Sequence, residues 1–248
     1  MKRYFLEIAY NGSDFHGWQM QKQGIRTVQS TINDAFDKLF RTPIETTGCG
    51  RTDTGVHAKQ FYIHFDAEKL PERFIYKLNG VLPKSIVAYS VKEVHEEAHT
   101  RFDAEARTYQ YFVHQQKDPF NASLSYFVPK QLDLEAMNEA AKLLLGEQDF
   151  TSFSKLHSNT FTNICNVTHA EWKRLSDHRL VFEITANRFL RNMVRAIVGT
   201  LIMVGEGKIT VKDFQEIINK KDRGEAGKSV DGHALFLVGV EYPYLKQD

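Results

Sequence analysis

Arg3-Tyr4-Phe5-Leu6-Glu7-Ile8-Ala9-Tyr10, followed after a polar, glycine-containing loop by Val28-Gln29-Ser30-Thr31-Ile32-Asn33-Asp34-Ala35-Phe36-Asp37-Lys38-Leu39-Phe40, decides the fold class of this chain. In the first stretch Tyr4, Leu6, Ile8 and Tyr10 alternate with Phe5, Glu7 and Ala9, which predicts a strand with one apolar and one mixed face. In the second, Val28, Ile32, Ala35, Phe36, Leu39 and Phe40 recur at helical spacing, which predicts a helix laid on the sheet. Outward from this pair, strand patterns recur near 44–47, 61–65 and 86–94, with a helical stretch over 71–81. The second half repeats the theme. Strands are expected at 108–114, 167–175 and 180–186, helices at 134–145 and 211–219 and a long one after 187, then a glycine-containing loop over 223–232 and a strand at 235–242.

The pattern reads as α+β: two similar halves, each a mostly antiparallel sheet with helices on one face, sharing a central cleft. The halves are placed at 1–104 and 105–248, and the 248 residues are enough for two ordinary cores. The formal net charge of +1 does not announce a nucleic-acid binder, so an RNA site would need segregated charge. Acids do gather at Glu93, Glu96, Glu97, Asp103 and Glu105, while Lys155, Arg188, Arg191 and Arg195 fall where acids are sparse. Cys49 and Cys165 have neither the number nor the spacing of a disulfide framework or zinc site. The apolar start is broken at Glu7 and Asn11, and the run from Ala196 to Val204 is about half a bilayer span, so a soluble, cytoplasmic protein is expected.

Three segments could carry chemistry. Gly48-Cys49-Gly50-Arg51-Thr52-Asp53-Thr54-Gly55-Val56-His57-Ala58 surrounds one acid with three glycines, which lets a loop present Asp53 at a sharp turn. The same letters also serve an ordinary hydrogen-bonded turn. Asp53-Thr54-Gly55 matches the aspartic-protease tripeptide too, but that site follows an apolar strand and needs a second copy, and no other Asp-Thr-Gly or Asp-Ser-Gly exists here. In Arg107-Thr108-Tyr109-Gln110-Tyr111-Phe112-Val113 the two tyrosines share a strand face that could stack on a nucleobase or simply pack. From Asn187 to Gly199, apolar residues form a helical stripe, and a wheel places Arg188, Arg191 and Arg195 together beside it, as phosphate contacts or as a solvated face. His57 and His64 lack an evident third metal ligand, and there is no Walker loop or dinucleotide fingerprint.

Taken in order, these segments resemble the tRNA pseudouridine synthase A family. The resemblance spans nearly the whole chain: Tyr10-Asn11-Gly12, Gly17-Trp18-Gln19 and Thr27-Val28-Gln29, then Arg51 to Ala58, then Phe102 to Tyr111. It continues through Asp149 to Phe153, Met193-Val194-Arg195, Ile197-Val198-Gly199 and Leu235-Phe236-Leu237. It implies that Asp53 is the catalytic aspartate, that Tyr109 lies against the target uracil and that Arg195 pairs with Asp53. It also implies action on uridines 38, 39 and 40 of the tRNA anticodon arm, no cofactor, a homodimer and the basic cleft. Arg51, Arg188 and Arg191 are the candidates for phosphate contact. The chain departs from the family pattern at Asn11 (usually Asp), Thr54 (usually Ala) and Ala196 (usually Asn), and lacks a Pro and a Gly around Val230 to Leu235. A binding module without catalysis could use the same basic and aromatic residues. Asp53 separates the two, since a carboxylate repels phosphate and gives a pure binder no benefit.

Overall fold

The computed structural model describes residues 1–21, 24–155 and 161–245. In chain order its elements are β1 (Lys2–Tyr10), α1 (Val28–Phe40), β2 (Thr47–Gly48), β3 (His57–Ala67), α2 (Phe74–Val81), β4 (Ile86–Val94) and β5 (Ala106–His114). Then come β6 (Tyr126–Phe127), α3 (Leu134–Lys142), β7 (Gly146–Asp149), β8 (Ile164–Ser176), β9 (Arg179–Ala186), α4 (Met193–Gly205), α5 (Val211–Lys220) and β10 (Leu235–Glu241). The class is α+β. The chain divides into two compact units, Met1–Glu105 with Phe236–Asp248, and Ala106–Leu235.

In the first unit β1 pairs antiparallel with both β3 and β4, β2 joins β3 antiparallel, and β10 adds to the other edge of β3 in parallel. Tyr4, Leu6 and Ile8 stand opposite Phe65, Ile63 and Phe61, so the alternation in β1 becomes one apolar face. Helix α1 starts because Thr27 caps it, its hydroxyl accepting from Ser30 N–H while Ser30 returns a bond to the Thr27 backbone. Its buried stripe of Val28, Ile32, Ala35 and Phe36 meets that face, with the Phe36 and Phe65 rings edge-on at 4.8 Å. Burial of each large side chain in the stripe contributes about 2 kcal/mol. The opposite face of β1 is also covered, since Phe5 stacks on His64 and meets Tyr242 edge-on at 5.3 Å.

Burial on that second face pulls the His64 pKa down to about 4, with the neighbouring His99 and Arg3 charges acting the same way. The native state therefore keeps His64 neutral, whereas the unfolded chain protonates it near 6.5. Its contribution is complete above that value and is lost as pH falls towards 4, about 3 kcal/mol in all. Urea unfolding at pH 7.5 and pH 5 should show lower stability at pH 5, with His64→Gln shrinking the difference by half or more. An undiminished difference would refute the assignment to His64.

The second unit carries the antiparallel order β5-β9-β8-β7, with β6 parallel beside β5. Strands β8 and β9 form a hairpin closed by Asp177 and His178 between Ser176 and Arg179. Helix α3 docks on β8 through Asn138, whose side-chain amide both donates to Trp172 O (3.1 Å) and accepts from Trp172 N–H (2.8 Å). Helices α3 and α4 approach so closely that a Cβ on Gly205 would lie 2.4 Å from Met137 Sδ.

Several expectations are corrected. The strand near 44–47 pairs only at Thr47–Gly48, and α2 begins at Phe74 after Arg73 takes a left-handed φ of 53°. The long helix after 187 begins only at Met193, because Asn192 takes a left-handed φ of 69° and residues 187–192 are irregular. Cys49 and Cys165 are both buried. Among the described residues no helix is long and apolar enough to cross a membrane.

Candidate active site

The loop between β2 and β3 is held on both sides of Asp53 by the segment that follows β1. Ahead of Asp53, buried Thr52 puts its hydroxyl 2.9 Å from Tyr10 OH, and its carbonyl accepts Trp18 N–H at 3.2 Å. Gly17, at φ +85°, passes so close that a Cβ there would lie 2.4 Å from Thr52 O. Behind Asp53, Val56 N–H returns to Asp53 O at 3.2 Å around Gly55, whose φ of 78° requires glycine, and Gly55 N–H donates to Phe15 O at 3.3 Å. A Cβ on Gly12 would fall 2.0 Å from Val56 O. Two backbones thus lie in contact, and the turn that presents Asp53 has little room to shift.

His57 completes the clamp. Its Nδ1 accepts Gly12 N–H at 3.0 Å, and its buried ring stacks on Phe236 at 4.4 Å and 17°. The acceptor role leaves Nδ1 without a proton and gives the ring a structural task. Among the described residues no group of three or more His, Cys, Asp or Glu side chains could hold a metal ion. Asp53 is half-buried, while Arg51 and Thr54 are exposed.

Arg51 and Asp53 belong to the first unit, and Tyr109, Arg188, Arg191 and Arg195 to the second. The tyrosine pair on β5 divides in role. Tyr111 is fully buried, whereas Tyr109 is half-buried and meets Phe189 edge-on at 5.1 Å and 86°. Arg195 lies on the first turn of α4, where its Nε donates to Val230 O at 2.7 Å and its own carbonyl accepts Val230 N–H at 3.2 Å. The helical wheel for the three arginines does not hold: Arg188 and Arg191 precede α4, half-buried and exposed respectively, so no helix face sets their spacing.

Sequence reasoning did not assign Tyr10, Gly12 and Gly17 the task of holding the Asp53 loop. Their signals were a second glycine-containing loop upstream and a place in the family resemblance, neither of which says what the loop touches. Of the three glycines near Asp53, Gly55 is needed for its φ and Gly48 for space, since a Cβ there would lie 2.6 Å from Trp18 and 2.8 Å from Phe61, while Gly50 faces open space.

Residues 140–243 match the family model described as tRNA pseudouridine synthase. A protein of Parabacteroides distasonis named tRNA pseudouridine synthase A is 53% identical over 246 residues, covering 98% of this chain and 97% of its own length. Proteins of the same name from Bacteroides thetaiotaomicron and Clostridium acetobutylicum are 51% and 38% identical, each over 98% of this chain and over 91% and 100% of their own lengths. With more than a third of positions shared from end to end even in Clostridium, this chain belongs to the tRNA pseudouridine synthase A family.

Proposed function

We propose that this protein isomerises uridine to pseudouridine in tRNA, at positions 38, 39 and 40 of the anticodon stem-loop, with Asp53 as the catalytic carboxylate. The observation that carries the reading is the clamped turn at Asp53, in a chain that shares 53% identity with a protein named tRNA pseudouridine synthase A. The reaction breaks the bond from uracil N1 to ribose C1′, turns the freed base in place and joins C5 to C1′, C5 losing its hydrogen as a proton and N1 taking one up. A carboxylate can serve by attacking C1′, as in retaining glycosidases, or by taking a proton from C2′. Either role needs the oxygens held at a fixed place, which the contacts of Gly12 and Gly17 favour.

In this reading residues 1–104 supply Asp53 and residues 105–248 supply Tyr109 against the base and Arg195 beside the carboxylate, with the tRNA in a basic cleft. The arginine favours the ionised carboxylate and the tyrosine limits where the free base can go. The protein works without a cofactor, as a cytoplasmic homodimer, so light scattering should return twice the chain mass. Arg51, Arg188 and Arg191 contact phosphates and offset the few kcal/mol needed to unstack the target base. Neutralising any one of them should weaken tRNA binding and lower the slope of log K against log salt by about 1. An unchanged slope would remove that residue from the phosphate set.

The deciding experiment is incubation with unmodified tRNA carrying tritium at uridine C5. Release of tritium to water is expected. Tight tRNA binding without release, across several tRNAs, would overturn the enzyme reading and leave a non-catalytic RNA-binding protein.

A further inference from the structure

In the second unit, residues 226–231 run along α4 as a strap. Gly227 N–H donates to Thr200 Oγ1 at 3.0 Å, and the strap lies so close that a Cβ on Gly199 would sit 2.0 Å from Lys228 O. Farther on, Val230 is bonded to Arg195 in both directions, by its N–H to Arg195 O and by its carbonyl to Arg195 Nε. One residue later the carbonyl of Asp231 accepts the hydroxyl of Tyr111 at 2.9 Å. Tyr111 rises from the middle of β5 and its side chain is fully buried.

We infer that Tyr111 is a positioning residue for the isomerisation: its hydroxyl holds the Asp231 carbonyl, one residue past Val230, and so steadies the Val230 carbonyl that fixes the Arg195 guanidinium. The inference rests on the reading of Arg195 as a site residue. A buried tyrosine hydroxyl must find an acceptor, and many acceptors would satisfy packing equally well. The one it finds adjoins the carbonyl that holds Arg195. A guanidinium is planar, so a bond from Nε sets the direction of the two terminal nitrogens, and a shift of Val230 would turn that fork. Burial pushes Tyr111 ionisation far above its ordinary value, so the hydroxyl remains a donor throughout the working pH range. The two tyrosines of β5 thereby hold separate tasks, Tyr109 at the base and Tyr111 behind the arginine.

Tyr111→Phe deletes only the hydroxyl and keeps the ring. The test compares wild type, Tyr111→Phe, Arg195→Lys and the double variant by tritium release, with kcat and KM for tRNA determined separately and each protein assayed well below its melting temperature. The expected result is a kcat about tenfold lower for Tyr111→Phe with KM within twofold, and a further loss close to nil when the same change is made on Arg195→Lys. A purely structural hydroxyl would lower stability and leave that coupling at zero. Wild-type kcat in Tyr111→Phe, or losses that multiply in the double variant, would overturn the inference while Arg195 keeps its role. Wild-type kcat in Arg195→Lys would remove the role of Arg195 and the inference together.

Discussion

Asp53→Asn should stop tritium release, with kcat at least about 10⁴-fold below wild type. The substitution is close to isosteric and leaves the backbone of the turn its own supports, since Val56 N–H bonds to the backbone oxygen of residue 53 and Gly55 supplies the left-handed conformation. Asparagine is at home in such turns. What disappears is the reacting group: an amide oxygen neither displaces uracil from C1′ nor takes a proton from C2′. Binding should hold or tighten, because a negative charge has been removed from a surface that meets phosphate. Filter binding and tritium release on the same preparation separate the two effects. A variant keeping more than about one per cent of the wild-type rate would be incompatible with Asp53 as the essential carboxylate in either route.

The second large effect is expected from a glycine packed against the Asp53 turn. In Gly12→Ala the new methyl would sit 2.0 Å from Val56 O and 2.6 Å from Val56 C, against backbone that cannot rotate aside. The two loops must separate, and the turn between Thr52 and His57 moves with them. We expect kcat to fall about 100-fold, as for a displacement near 1 Å of a reacting group, and stability to fall by about 1–3 kcal/mol. Gly50→Ala provides the control, since a Cβ there meets nothing within 4 Å, and it should change neither quantity. If Gly12→Ala matched wild type in both kcat and melting temperature, the close approach of the two loops would be disproved.

Most elements were legible because their patterns are local. The period of two in β1 and the 3.6 period in α1 follow from one face being buried, and β4 spans 86–94 as its alternation indicates. The start of α4 was not legible, because Leu190 falls in line with the apolar stripe and is buried, yet belongs to the irregular stretch before Asn192. A wheel assumes the helical backbone it is used to infer. The short strands β6 and β7 are missed for a different reason, since two and four residues are too few to show a period. For β10 the alternation marks a strand, but its pairing of Phe236 with His57 is a tertiary choice that no local pattern encodes.

At the candidate site the unusual loop around Asp53 was legible and its support was not. Glycines around Asp53 advertise an unusual loop, but the clamp depends on Gly12 and Gly17, whose partners are remote in sequence. Two departures from the family pattern become understandable. Asn11 accepts Ser13 N–H through Oδ1 at 3.0 Å, a bond that an aspartate oxygen makes equally well. Ala196 is fully buried on α4, where a small apolar side chain fits the packed face. Nothing in the structure accounts for Thr54, which is exposed.

The stacking of His57 on Phe236 also sets a timetable for biosynthesis. Phe236 is translated after all of residues 106–235, so when the first 105 residues leave the ribosome they have no partner for the β10 edge of β3 and no ring beneath His57. The intervening unit can fold meanwhile as a self-contained insertion. Until β10 arrives, the nascent sheet has an open hydrogen-bonding edge beside the loop of Asp53, a surface exposed to mispairing and to chaperones. Closing so late, across so many residues, favours slow completion of the first unit, and a chain that stops short of Phe236 lacks the ring that stacks on His57.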